Sequence, residues 1–263
     1  MTFLKGFLLN LQFFTAVPIS AALPMEEKYL KSAIQSFPIV GLLQGALYSA
    51  FVYALIYWTP LSPLAIAFAL WLMTIVVTGG IHLDGWMDAS DAYFSFQNQE
   101  KRLEIMSDPR TGAFGVLSVI VLLSSRFLFI YEITASMTVA SYLLIMIIPF
   151  LSKGVMGAIL VMIPTAKKEG LAALFQKAGN RRSLIVYPIY LVMVIIIFLL
   201  QGAKMLLPII LLLLVALGCF LFIRVKAVKW FGGITGDVLG ASVEGTELIL
   251  WMTLWLLHYS AMG

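Results

Sequence analysis

Long apolar runs alternate with short polar connectors along this chain, and the run lengths decide what they form. A hydrocarbon core about 30 Å thick takes about 20 residues of helix to cross. Windows near that length fall at 33–58, 63–78, 113–133, 138–163, 183–200, 205–223 and 238–257. They predict about seven transmembrane helices. The stretch 3–17 is short for a span, is interrupted by Gln12 and Thr15, and ends at Pro18. It reads as an interfacial or re-entrant helix rather than a cleaved leader. The longest polar connector, 79–112, leaves no room for a soluble domain. Residues 1–263 are therefore expected to form one integral-membrane domain, all-α and polytopic.

Composition narrows the class further. The chain is 62% hydrophobic and only 11% charged, too few charges to cover the surface of a soluble protein. The single cysteine, Cys219, lies in an apolar run and reads as a packing residue, so disulfides within the chain are excluded. The net charge of +4 gathers in connectors. Lys101, Arg102 and Arg110 follow the second window; Lys167, Lys168, Lys177, Arg181 and Arg182 follow the fourth; Arg224, Lys226 and Lys229 follow the sixth. The opposite connectors hold only Lys204. The positive-inside rule then puts the N-terminus in the cytoplasm and the C-terminus, including Met262, outside the cytoplasmic membrane. This distribution suits the lipid bilayer and anionic substrates, and forms no nucleic-acid patch. A homo-oligomer is compatible with it.

Acids are placed far more narrowly. Of five aspartates, Asp84, Asp88, Asp91 and Asp108 fall within one connector, and Asp237 opens the last span. At about 100° per residue, Asp88 lies roughly 40° to one side of Asp84 and Asp91 roughly 20° to the other, so the three share a helix face. Such a stripe repels itself unless cations neutralise it, and hard oxygen donors of this kind select Mg²⁺, Mn²⁺ or Ca²⁺. A solvated acidic face is the bland account, but the chain is apolar nearly everywhere else. His82 points away from the stripe, and Gly85 suits either close substrate approach or helix packing.

Two further islands adjoin the stripe. Asp108-Pro109-Arg110-Thr111-Gly112 leads into the third span, bringing a carboxylate, an arginine and helix-start amides together as a phosphate site beside a metal ligand. Gly232-Gly233-Ile234-Thr235-Gly236-Asp237 forms a side-chain-poor loop suited to a large ligand. Arg126, Lys153 and Glu247 fall inside spans, where each must face protein or a watery cavity. Mutual pairing that holds the bundle is the alternative to a ligand role for them.

These residues carry a resemblance. HLDGWMDASDA at 82–92, RLEIMSDPRTGAFGVL at 102–117 and GGITGDVLGA at 232–241, with Glu247 beyond, resemble the cobalamin synthase family of adenosylcobinamide-GDP ribazoletransferases. Weaker likenesses at 11–20, 37–45 and 167–171 extend it over the whole chain. Ala92 stands where the family usually has glycine. The resemblance implies an Mg²⁺-dependent membrane enzyme that joins adenosylcobinamide-GDP to α-ribazole, or its 5′-phosphate, releasing GMP. It implies metal at Asp84, Asp88, Asp91 and Asp108, with Asp91 or Asp108 as base and Arg110 assisting. Arg110, Lys153, Arg126, Asp237, Gly236 and Glu247 are the expected substrate contacts, Arg110 and Lys153 for the pyrophosphate. A CDP-alcohol phosphotransferase shares the chemistry but spaces its first two aspartates differently. A cation transporter would place its carboxylates at mid-membrane.

Overall fold

The structure is a computed structural model that describes residues 2–260, so the expectation for Met262 lies outside the described residues. Its elements are α1 (Thr2–Phe14), α2 (Glu27–Trp58), α3 (Pro63–Thr78), α4 (Ile81–Phe94), α5 (Gln99–Ile105), α6 (Ala113–Ala135), α7 (Val139–Met162), α8 (Leu171–Ala178), α9 (Val186–Leu199), α10 (Leu206–Phe231) and α11 (Gly236–Ser260). Among the described residues the only β pairing is an isolated parallel bridge, Thr165 to Ile234. The protein is an all-α polytopic membrane protein.

Among the described residues, five helical stretches are long and apolar enough to cross a membrane: α2, α6, α7, α10, and α9 together with the turn before it. Joining α3 to α4 would make six. Two of the seven expected spans therefore differ in kind. α3 has 16 residues, about 24 Å of helix, and the chain then turns through 86° into α4. Gly79 and Gly80 make that turn at φ +63° and +75°, left-handed values that a side chain disfavours. α4, at 14 residues or about 21 Å, is too short to span by itself. α11 is long enough at 25 residues but carries Asp237, Glu244 and Glu247. It packs against α4, α6, α7 and α10, so much of its surface meets protein and need not be apolar. α10 also runs on through Arg224, Lys226 and Lys229, because nothing breaks the helix before Gly232.

The tightest helix pair is α2 with α7. A Cβ on Gly41 would sit 2.2 Å from the Pro149 carbonyl oxygen, and one on Gly45 would sit 2.1 Å from that of Met146. Glycines four apart thus let the two backbones touch, the means by which helices associate where lipid supplies no hydrophobic drive. α1 packs on the start of α2: Asn10 donates to the Ala33 carbonyl and to Ser36 Oγ, and Gly6 lies against Ser32 and Ala33. Gly45→Ala is expected to cost about 1–3 kcal/mol by overpacking, seen as a lower melting midpoint in detergent. Gly218→Ala on α10, where nothing lies within 4 Å, should leave it unchanged or slightly raised.

Candidate active site

The glycine turn after α3 lays α4 across the start of α11, and the acidic stripe follows from that placement. A Cβ on Gly85 would lie 2.7 Å from the Asp237 carbonyl oxygen, and Gly240 packs on His82 in return. Gly85 is thus explained by helix crossing. Asp84 is exposed, and Asp88 and Asp91 are half-buried. Partial burial, then the charges of Asp84, Asp237 and Asp91, push the Asp88 carboxyl up to about 6. The expected face therefore exists, and Asp237 joins it from a second helix.

Asp91 does something the stripe alone did not indicate. Its carboxylate oxygens accept from the Gly112 amide at 2.7 Å and the Gly115 amide at 2.8 Å. The residue before α6, Gly112, offers no side-chain cap, so Asp91 caps that helix from outside. A Cβ on either glycine would come within 2.4 Å of the Asp91 oxygens. Asp91 thereby fixes the Asp108–Gly112 turn against α4. Within that turn Arg110 donates to both oxygens of Asp108, at 2.9 Å from Nε and 2.6 Å from Nη2. The Arg110 side chain and backbone hold the Asp108 carboxyl down at about 2.

The loop into α11 is anchored as firmly. Gly232, at φ +75°, ends α10, and Thr235 caps α11 by accepting from the Val238 amide at 3.1 Å. Thr235 also donates to Asp237 Oδ2 at 3.3 Å, next to the exposed Gly236. Ile234 pairs with the segment after α7: its amide donates to the Pro164 carbonyl, and its carbonyl accepts from Ala166, both at 2.9 Å.

Comparison with known proteins identifies the family. A family model described as cobalamin-5-phosphate synthase matches residues 6–255. The chain belongs to that family. Proteins named adenosylcobinamide-GDP ribazoletransferase from Geobacillus sp. (strain WCH70) and Geobacillus kaustophilus (strain HTA426) are 39% and 40% identical, each alignment covering 98% of both chains. One from Halalkalibacterium halodurans is 32% identical over 98% of this chain and 97% of its own. No solved structure matches. Neither the CDP-alcohol phosphotransferase nor the transporter reading is favoured.

In this member of the cobalamin-5-phosphate synthase family the structure separates the expected site residues into two layers. Asp84, Asp88, Asp91, Asp237 and Gly236 come together, with Asp108 and Arg110 tied in through Asp91. Arg126, Lys153 and Glu247 lie inside the bundle, 1%, 1% and 3% exposed. Each has a protein partner there. Arg126 pairs with Glu244, Lys153 donates to Nε2 of His82, and Glu247 accepts from Ser152 at 2.8 Å. His82 points inward, as its wheel position predicts, and stacks at 6.1 Å on Phe14. Glu244 is the residue that sequence reasoning passed over. Its spacing held the signal: Asp237, Gly240, Glu244 and Glu247 recur at three- and four-residue steps, one face of α11.

Proposed function

We propose that this chain joins adenosylcobinamide-GDP to α-ribazole, releasing adenosylcobalamin and GMP, with α-ribazole 5′-phosphate giving the phosphorylated product. The observation that carries the reading is the acidic face shared by α4 and α11, set against the anchored helix start of α6. The oxygen of a ribose hydroxyl other than the 5′-hydroxyl, which is already esterified in α-ribazole 5′-phosphate, forms the new bond to the phosphorus attached to cobinamide. The bond from that phosphorus to the bridging oxygen breaks, and the electron pair leaves on GMP. The hydroxyl proton passes to a carboxylate of the acidic face. Phosphoryl transfer of this kind asks the protein for positioning and charge neutralisation.

The donor set fits Mg²⁺. Among the described residues no three His, Cys, Asp or Glu side chains are grouped closely enough to cage a metal. Mg²⁺ does not require a cage, because it keeps several waters and takes one or two carboxylates plus substrate phosphates. Asp84 and Asp88 would hold it, with Asp237 adjacent and Asp91 contributing through whatever lone pairs its helix cap leaves. Bound there, it would neutralise phosphate charge. Asp108, already paired with Arg110, joins this set only if substrate draws the arginine away.

Basic connectors and apolar spans support a location in the cytoplasmic membrane with the acidic face toward the cytoplasm. The test is direct. Protein purified into lipid, given adenosylcobinamide-GDP, α-ribazole and Mg²⁺, should release GMP. No GMP release, or CMP release from a CDP-alcohol and a lipid alcohol, would overturn the reading.

A further inference from the structure

Three basic side chains lie near enough to the acidic face to be weighed as its phosphate ligand. Two are already committed: Arg110 to Asp108 and the buried Lys153 to His82. The third is Lys167, half-buried in the segment between α7 and α8. Among the described residues it forms no ion pair. Yet it is held in place. Its ammonium donates to the Ser107 hydroxyl, next to Asp108, and its charge reaches the Asp237 carboxylate. The backbone behind it is pinned by the two hydrogen bonds joining Pro164 and Ala166 to Ile234. Gly233 permits that approach, since a Cβ there would lie 2.3 Å from the Pro164 carbonyl oxygen.

A flexible lysine fixed at its base, with a neutral hydroxyl as its partner, can exchange that partner for an anion without breaking an ion pair. The strap also brings the ammonium over the junction of the two segments that carry Asp108 and Asp237. A phosphate bridging the acidic face and this loop would gain a contact that water at Ser107 can replace on the protein side.

We propose that Lys167 binds the diphosphate of the nucleotide-activated substrate and neutralises the phosphate that leaves with GMP. This rests on the transfer reading above. The ribose hydroxyl nucleophile of α-ribazole carries no charge, so the contact concerns one substrate only.

Steady-state kinetics with each substrate varied in turn, on protein in lipid, tests the assignment. Lys167→Ala should lower kcat/KM for adenosylcobinamide-GDP about ten- to a hundredfold, as for loss of a charge-assisted contact, with KM for α-ribazole unchanged. It should weaken inhibition by GMP in step, and Lys167→Arg should recover most of both losses. Lys168→Ala, exposed and adjacent, serves as control and should match wild type. Unchanged kcat/KM and GMP inhibition in Lys167→Ala would overturn the inference, as would equal losses for both substrates with a lowered melting midpoint, the mark of a structural strap. If wild type itself releases no GMP, the transfer reading is what has failed, and GMP binding to wild type and Lys167→Ala still decides whether Lys167 holds a phosphate.

Discussion

Asp84→Asn and Asp88→Asn are each expected to lower turnover about a hundred- to a thousandfold, the scale on which a single preorganised charge-stabilising group acts, while the protein inserts and folds. The cause is the loss of a hard anionic oxygen from a face that must neutralise a diphosphate. Stability should move the other way for Asp88. Its folded carboxyl, at about 6, lies above the ordinary value of 3.8, so the folded state holds that proton more tightly than the unfolded chain does. The stabilisation is present below pH 3.8 and is lost as pH rises through about 6. Without Mg²⁺, Asp88→Asn should therefore melt no lower than wild type at pH 7.5 and lack this part of the pH dependence. Melting curves across pH 4 to 8, paired with activity assays, check both statements. Near wild-type turnover in both variants would sink the metal assignment.

Arg126→Met is expected to cost about 3–5 kcal/mol, because it leaves Glu244 buried without its partner. Arg126→Met combined with Glu244→Leu should recover most of that loss, since a buried pair replaced by apolar side chains is often neutral. The two Glu247 and Lys153 neighbours remain partnered by Ser152 and His82. Melting midpoints and yields of folded protein in detergent are the measurement. A single variant that folds normally but loses only affinity for the GDP-activated substrate would return Arg126 to the role its sequence position first implies.

Much of this molecule is legible in its order of residues, for definite reasons. Apolar runs are long, so α2, α6, α7 and α10 can be read from length alone. The three-four spacing of Asp84, Asp88 and Asp91 survives because α4 is a regular helix throughout. Where structure adds to that reading the cause is shared as well: hydropathy describes contact with lipid, and it says little where a helix meets protein. α11 is counted apolar from its second half, although its first half presents Asp237, Glu244 and Glu247 to neighbouring helices. The break after α3 was marked by Gly79-Gly80, but a glycine pair does not reveal the direction of the turn it makes. Nor could spacing show that Asp91 caps α6 or that Lys167 lies beside Ser107. Both contacts join residues far apart in the chain, and only the folded path brings them together.

The pairing of Arg126 with Glu244 spans 118 residues, and a ribosome makes those residues in sequence. At about 5–20 residues per second the arginine waits roughly 6–24 s for its carboxylate. Lys153 has no such wait, since His82 precedes it by 71 residues. During that interval α6 holds a cation that costs about 2.5–3.5 kcal/mol at mid-membrane, so its insertion is provisional until the final helix emerges. Nascent chains halted before Gly236 should leave α6 shallow or open to extraction by alkaline wash, and those extended past Glu244 should lock it in. Assembly of this bundle is thereby closed by its last helix, the same one that carries Asp237 to the acidic face.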